Sequence, residues 1–302
     1  MKKSAKKTKR SVSIFKAVVL VLLVLYTVFL LSLLVWAFLS SLKSDFVFEN
    51  TEYGMFNFPK INAKTFDNYV NAFGNIFYTV TGTGRRAYLL ELLINSTVYT
   101  FGCALLNTFV PFLVGYLTAR YKYPFSKVVF FVVLLVMMIP IVGNLPGQIQ
   151  MAMDLHIYNT LFGVFIMQSH FLGMFFLVFH ATFADLPNDY ADAAQIDGAS
   201  NTRIMFAIMM PMAKNAFLAV FILRFVFYWN DYSIPLVFLT SRPTLALGML
   251  RFSSSPSGTG NAMAGIPSQL AGAMIFCIPI VIIFLAFKNR LIGNVTLGGI
   301  KG

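Results

Sequence analysis

The sequence predicts an all-α polytopic membrane protein with six transmembrane helices, and two observations lead to this prediction. Of the 302 residues, 58% are hydrophobic and only 11% are charged. Soluble domains carry about 25% charged residues, which cover their hydrated surface. The apolar residues are also gathered into long runs, and a run of about 20 residues crosses a hydrocarbon core of about 30 Å as a helix.

The six apolar runs predict spans at 15–40, 93–119, 127–148, 158–183, 214–239 and 267–287. The first run follows a basic arm at 1–14 and so imitates a secretory signal. Its uncharged stretch at 17–39 exceeds the roughly 7–15 residues of a signal h-region, so we expect it to remain as a membrane helix. Pro140 and Pro279 fall inside the third and sixth runs and should kink them.

The basic residues predict the orientation of the chain. They concentrate in the N-terminal arm, in the connection between the second and third spans (Arg120, Lys122 and Lys127) and in the tail at 288–302. Short loops rich in Lys and Arg stay in the cytoplasm, so both termini are predicted there. The net charge of +12 therefore reflects topology and contact with membrane lipid, and nucleic-acid binding is not predicted.

The connection at 41–91 is predicted to be a folded extracellular loop, because it is rich in aromatic residues and Asn. It could pack on the outer face of the membrane domain or contact a partner.

No metal or catalytic site is predicted. Cys103 and Cys277 lie inside apolar runs, away from any thiolate site. His170 and His180 are ten residues apart, an offset of about 80° around a helix, and so do not share a metal-binding face.

The stretch "DAAQIDGASNTRIMFAIMMP" at 192–211 interrupts the apolar runs with small and acidic residues. It predicts a cytoplasmic helix–turn–helix: a helix near 188–197, Gly198 as its C-terminal cap, and a second helix that Ser200 caps and Pro211 ends. Its small residues permit a close approach to another protein's groove. The alternative is an ordinary amphipathic connector resting on lipid headgroups.

This stretch resembles the EAA motif of ABC-importer permeases, a Glu-Ala-Ala, Asp-Gly-Ala pattern with a later Pro. Asp192 stands where the family has Glu, and this shorter side chain has less reach toward a basic partner. The other matched positions, which the resemblance implies contact the ATPase, are Ala193, Ala194, Asp197, Gly198, Ala199, Met205, Phe206 and Pro211.

Two more stretches are similar to carbohydrate-type permeases of this family. "WNDYSIPLVF" in the fifth run resembles their Trp-Asn-acidic segment, and the terminal "LIGNVTLGGIKG" resembles the tail of the maltose MalG-like permease. The resemblance implies the ABC type I importer permease fold, with a cytoplasmic coupling helix at 185–213, in a bacterial inner membrane.

The resemblance also implies the partners. A second permease subunit and this chain would sit on an ABC ATPase dimer, and an extracellular or lipoprotein substrate-binding protein would deliver an oligosaccharide or related compound. ATP and Mg would bind the partner ATPase subunits, because this chain has no G-x-x-x-x-G-K-[ST] loop. The chain itself would be a non-catalytic subunit.

Polar residues within the spans are candidates for the translocation path, because such groups are costly in lipid. Arg224 and Asp231 are seven residues apart and are predicted to lie on one face of the fifth span, about 10 Å apart along its axis. Either these groups line a path for hydroxyl-rich solutes, or they are hydrogen-bonded glue between helices and to the sister permease. The candidates are Gln168, Ser169, His170, Arg224, Asn230 and Asp231.

Two alternatives for the function remain open. One keeps the importer and changes the cargo to a polyol, a phosphorylated sugar or another non-sugar solute. The other is a self-contained secondary transporter or channel, which would have no use for an ATPase-docking segment.

Overall fold

A computed structural model describes residues 2–49, 58–59, 65–121, 123–139, 143–254 and 265–295, with side chains described within 15–287 of these ranges. Pro140, Lys122, parts of the 41–91 loop and the glycine-rich end at 296–302 lie outside the described residues, so expectations for them stay predictions. In chain order the elements are α1 (Lys2–Ser41), α2 (Asp45–Glu49), α3 (Asp67–Asn75), β1 (Phe77–Thr79), β2 (Arg86–Tyr88), α4 (Leu89–Arg120), α5 (Pro124–Met138), α6 (Leu145–Asp154), α7 (Leu161–Gln168), α8 (Met174–Ala184), α9 (Asp189–Ile196), α10 (Asn201–Arg203), a π-helical segment (Ile204–Met209), α11 (Met210–Met212), α12 (Lys214–Asn230), α13 (Ser233–Phe238), α14 (Leu245–Ser254) and α15 (Ile266–Val295).

Among the described residues, three helices are long and apolar enough to cross a bilayer alone: α1 over Phe15–Ser41, α4 over Leu89–Arg120 and α15 over Ile266–Phe287. They match the first, second and sixth predicted spans. The other three predicted spans each consist of shorter helices, so the described residues confirm an all-α membrane fold while the count of six stays a prediction.

The breaks in these spans have local causes. Helix α5 ends at Met138, and Ile139 after it takes an extended conformation, as the residue before a proline usually does. The fifth span breaks between α12 and α13 at Asp231, where the ring of Pro235 would clash with a helical carbonyl four residues earlier. The fourth breaks between α7 and α8, where Gly173 has a φ of +149°.

The chain divides into two compact units. The first comprises Met1–Asn75 with Phe252–Ile275. In it, Asn68 of α3 donates to the carbonyls of Ser41 (2.8 Å) and Lys43 (2.6 Å), and Tyr69 shares a hydrogen bond of 2.8 Å with the Ser41 hydroxyl. Helix α3, in the middle of the 41–91 connection, is therefore bonded to the end of α1 and to Lys43 just after it.

The second unit comprises Ile76–Arg251 with Phe276–Gly302. Its only sheet within the described residues is the antiparallel hairpin of β1 and β2, in which Tyr78 pairs with Ala87. Helix α4 follows directly and lies at the centre, packed against α5, α7, α8 and α12. In the most apolar 18-residue stretch of α4, half of the residues are buried. In the most apolar 18-residue stretch of α1, none is buried. Helix α4 is thus the core helix of this unit.

Candidate functional site

The segment at 185–213 forms the predicted helix–turn–helix. Helix α9 ends at Ile196, and Gly198 follows in a left-handed conformation with φ +80°. The backbone N–H of Gly198 donates to the Gln195 carbonyl (3.0 Å), and that of Ala199 donates to the Ala194 carbonyl (2.9 Å). These two bonds satisfy carbonyls of the last helical turn, which is the usual role of a glycine cap. The Ser200 hydroxyl then caps the next helix by accepting from the Arg203 N–H (3.4 Å).

The second half of the segment differs from the prediction at its end. Residues 204–209 adopt a π-helix, and the helical run continues through Pro211 to Met212. A 70° bend then separates Asn201–Met212 from α12. The expectation that Pro211 ends the helix was wrong by one residue: Pro211 has no N–H to donate to the preceding turn, and the helical run ends directly after it, at Met212.

One face of the segment packs on the chain's own aromatic core. Ala194 is buried, and Ala199 and Met205 lie against the same cluster. The members of this cluster come from α4, α8, α12 and the segment itself: Phe112, Tyr116, Phe179, Phe183, Ala194, Ile204, Met209, Met210, Ala213 and Val220. The small residues at 194 and 199 therefore permit a close approach to this bundle, and the predicted approach of the segment to another protein's groove stays a prediction.

The opposite face is exposed. It carries the predicted docking residues Asp192, Ala193, Asp197, Gly198, Phe206 and Pro211. Ile196 at the end of α9 is 87% exposed, and Tyr190 is 54% exposed. Large apolar side chains that stand exposed together mark a surface that contacts another protein or the membrane. We call this face of α9 and its turn the docking face.

Arg120, the last residue of α4, contacts the segment at two places. Its guanidinium Nη1 donates to the Asn188 side-chain oxygen, and Nη2 donates to the Leu186 carbonyl (3.1 Å) and the Pro187 carbonyl (3.3 Å). Nη2 also lies 3.8 Å from the sulfur of Met209. Sequence reasoning counted Arg120 only as a topology signal. The position of a cation at a helix C-terminus was a hint of its structural role.

Two of the six polar candidates are engaged by tyrosines. The Tyr99 hydroxyl of α4 donates to Asp231 Oδ2 (2.6 Å), and the Tyr228 hydroxyl donates to Gln168 Oε1 (3.1 Å). The two tyrosine rings meet edge to face, with centroids 5.9 Å apart. This tyrosine pair, which sequence reasoning missed, joins α4, α7 and α12.

Asp231 does not lie on the helix that carries Arg224. It is the C-cap of α12, in extended conformation, and its Oδ1 accepts from the backbone N–H of Ser233 (2.8 Å) and Ile234 (3.4 Å). Asp231 thus stands at the end of the helix and not inside it, because Pro235 prevents the helix from continuing, and the expectation that it shares a face with Arg224 stays a prediction.

Arg224 is half-buried and lies over aromatic rings. Its Cζ is 4.5 Å from the centroid of the Phe175 ring and 5.9 Å from that of Phe227. Among the described residues it forms no ion pair, and its Nε is buried without a hydrogen-bond partner. A cation held this way over aromatic rings keeps most of its donors free for an acceptor.

The remaining candidates are bonded locally. The Ser169 hydroxyl donates to the Ile166 carbonyl (2.8 Å), and the Asn230 amide donates to the Val226 carbonyl (2.8 Å). His170 is exposed in the break between α7 and α8. The structure thus brings Gln168 and Asp231 to the tyrosine pair, and leaves Ser169, His170 and Asn230 outside it.

No group of three or more His, Cys, Asp or Glu side chains that could hold a metal is found among the residues that the structure describes. His180 shares a hydrogen bond of 3.0 Å between its Nδ1 and the Thr118 hydroxyl, and its ring lies 4.9 Å from that of Phe130. His180 is therefore used in packing α4, α5 and α8.

Comparison with known proteins gives a consistent result. Residues 111–295 match the family model for the binding-protein-dependent transport system inner membrane component. The arabinooligosaccharides transport system permease protein AraQ of Bacillus subtilis (strain 168) is 31% identical over 251 residues, covering 81% of each chain. The diacetylchitobiose uptake system permease protein NgcG of Streptomyces coelicolor is 26% identical over 94% of this chain and 88% of its own.

A solved structure shares the fold. The crystal structure of a bacterial ABC transporter involved in the import of the acidic polysaccharide alginate contains a chain that superimposes with a TM-score of 0.71 at 20% identity, over 93% of this chain and 97% of that one. The helical architecture and the family match over more than half of the sequence agree. The chain belongs to the family of inner membrane components of binding-protein-dependent transport systems, and it is a multi-pass membrane protein.

Proposed function

We propose that this chain is the permease subunit of a bacterial ATP-driven importer for an oligosaccharide or other carbohydrate, and that it forms half of the translocation pathway. Family membership supports the transport role. The carbohydrate is supported by the names of relatives, which include transporters of arabinooligosaccharides, diacetylchitobiose and melibiose, raffinose and stachyose.

In this proposal, the chain is a non-catalytic subunit with both termini in the cytoplasm. A second permease completes the membrane domain, and a substrate-binding protein delivers the solute from outside. Two ATPase subunits bind ATP and Mg and drive the cycle. The sequence supports this division of labour, because it contains no phosphate-binding loop of its own.

One observation carries the proposal: the docking face is exposed while its back is fixed to the core. Ala194 anchors α9 on the aromatic cluster, and Asp192, Ala193 and Ile196 remain accessible. A rigid helix with an exposed apolar and acidic face suits insertion into a groove of a partner that supplies basic residues. Force applied to such a helix is transmitted to the bundle instead of being absorbed by a flexible loop.

Bulky substitutions on the docking face test this role. Ala193→Trp adds bulk at an exposed helical position, and Gly198→Trp adds bulk at the turn, where nothing lies within 4 Å of a Cβ but the φ of +80° adds strain. Gly147→Trp is the control, since Gly147 in α6 also has open space around it and an ordinary φ. We expect both docking-face variants to insert normally and to lose at least about tenfold in ATPase co-purification, which corresponds to about 1.4 kcal/mol.

The outcome for Ala193→Trp is the more informative, because it involves no backbone strain. If this variant retains both its ATPase and normal ATP-dependent uptake, the docking role is wrong. Uptake by this chain alone, reconstituted in vesicles without any ATPase, would instead identify a self-contained transporter. The solute is identified by purifying the assembly and screening sugars and polyols against its binding protein.

An anionic solute is a second candidate for the cargo. Arg224 presents guanidinium donors without an acidic partner among the described residues, and one relative is the sn-glycerol-3-phosphate permease protein UgpE. Arg224→Gln would then raise the KM for a phosphorylated or carboxylated solute and leave uptake of neutral sugars unchanged. Unchanged transport kinetics and specificity in Arg224→Gln and Asp231→Asn would show that both residues serve only in contacts between helices.

A further inference from the structure

We call residues 185–213 the coupling segment. One side chain, that of Arg120, bonds the C-terminal end of α4 to this segment near both of its ends. Arg120 reaches the entry of the segment through Leu186, Pro187 and Asn188, and it reaches the end of the π-helix through the sulfur of Met209. The segment is also joined to the bundle by the chain itself, through α8 and α12, and by its packing on the aromatic cluster, in which Phe112 and Tyr116 belong to α4. Arg120 therefore adds a directional polar attachment to α4 beside this apolar packing.

The chemistry of this attachment requires arginine. A guanidinium holds five N–H donors in a planar fork, so one side chain can serve several acceptors that diverge in direction. Here Nη1 and Nη2 together serve one amide oxygen and two carbonyl oxygens. A lysine ammonium at the same place is a point charge on a flexible stem and would hold fewer of these acceptors in fixed geometry.

The helix that Arg120 ends is the one best placed to pass a displacement through the unit. Helix α4 packs against α5, α7, α8 and α12, and it carries Tyr99, which bonds to Asp231 at the break between α12 and α13. A movement of α4 would thus reach the polar groups deep in the bundle directly, without first bending α8 or α12.

We propose that Arg120 is a positioning residue that locks the coupling segment to α4, so that the two move as one rigid body when the ATPase displaces the segment. This inference rests on the proposed function. It differs from a purely structural role, in which Arg120 would only help the segment to fold. The lock predicts that the distance between the coupling segment and α4 stays constant through the nucleotide cycle.

The test measures this distance with spin labels. Cysteines replace Thr202, an exposed residue of α10 that lies outside the docking face, and Val98, which is 44% exposed, in an assembly whose Cys103 and Cys277 are changed to alanine. Val98 lies 22 residues before Arg120, about 33 Å along α4 at 1.5 Å per residue, so the pair is within the range of pulsed spin-resonance measurements. Distances are recorded without nucleotide and after trapping with ATP, Mg and vanadate.

We expect one narrow distance distribution in both states for the otherwise unchanged chain. Arg120→Gln should shift or broaden the distribution on trapping, Arg120→Lys should do so less, and Asn188→Ala, which removes only the Nη1 acceptor, should be intermediate. Arg203→Gln is the matched control, since Arg203 is an exposed arginine of the same segment, and it should behave as the unchanged chain.

Each result has a definite meaning. A distance that changes on trapping in the unchanged chain overturns the rigid-body proposal, as does Arg120→Gln with an unchanged distribution. If Arg120→Gln fails to assemble, the Asn188→Ala variant is measured in its place. A distance distribution of trapped Asn188→Ala equal to that of trapped Arg203→Gln then overturns the proposal. If no ATPase co-purifies with the unchanged chain, the proposed function has failed and not the lock.

Discussion

Adding a methyl group at Gly115 tests the close packing of α4 on α8, on which the position of the coupling segment depends. A Cβ placed on Gly115 would lie 2.9 Å from the Phe179 Cβ and 3.0 Å from the His180 backbone nitrogen. Ordinary contacts between carbon atoms are about 3.5–4.0 Å. The two helices would therefore have to separate by about 0.5–1 Å at this point. The obstructing atoms belong to the backbone and to a Cβ, so no side-chain rotation can relieve the clash.

The cost of this separation follows from what α8 carries. The Phe112 ring lies 5.0 Å from that of Phe179 and 4.9 Å from that of Phe183, centroid to centroid, and the coupling segment packs on the same rings. Overpacking of this kind destabilises a core by about 1–3 kcal/mol. We expect Gly115→Ala to lower the melting temperature of the purified assembly by several degrees, and Gly115→Val to lower it further.

The matched control is Gly147→Ala in α6, where nothing lies within 4 Å of a Cβ. Alanine is a better helix former than glycine by about 1 kcal/mol, so this variant should be as stable as the unchanged chain or more stable. The assay is thermal unfolding in detergent, with ATPase co-purification as a second readout. A melting temperature of Gly115→Ala equal to that of Gly147→Ala would refute the close packing of α4 on α8.

Three other predictions follow from single contacts. Gly198→Ala should lower stability by about 1–2 kcal/mol because of the positive φ, and Gly198→Asn by less; equal melting temperatures would contradict this. Tyr99→Phe removes the donor to Asp231 and should cost about 0.5–2 kcal/mol, whereas Asp231→Asn keeps an acceptor and should cost less; unfolding in denaturant measures both. Burial raises the pKa of the Asp45 carboxyl in the folded state above its ordinary value of 3.8. Ionisation of Asp45 therefore disfavours the folded state, and stability is lost as the pH rises from the unfolded-state pKa to the folded-state pKa. The stability of Asp45→Asn relative to the unchanged chain should therefore increase as the pH rises from about 3 to 7. A difference in melting temperature between the two that stays constant over this pH range would contradict it.

The parts of the fold that depend on local signals could be predicted from the sequence. The long apolar runs located α1, α4 and α15, and the small residues around Gly198 located the turn after α9. Gly198 was predictable because a left-handed cap needs no distant partner. The family resemblance was carried by the same local pattern.

The breaks in the fourth and fifth spans could not be predicted with equal ease. The Asn107 side chain donates to the Gln168 carbonyl at the end of α7, and these residues are 61 positions apart, so hydropathy alone cannot show this bond. Pro235 was a local signal for the break at Asp231 and was read only as part of a family motif. The role of Arg120 was likewise hidden, because its acceptors lie 66–89 residues away in the sequence.

The 70° bend at Ala213 determines the kind of motion that α12 can receive. Ala213 is buried in the aromatic cluster, so the corner of this L-shaped element is held while residues 201–212 form its short arm. A straight helix pushed at its end is displaced along its own axis, whereas two helices joined at a fixed bend rotate about that bend. In the proposed coupling, a sideways displacement of the short arm would therefore reach α12 as a rotation that moves its far end, next to Asp231.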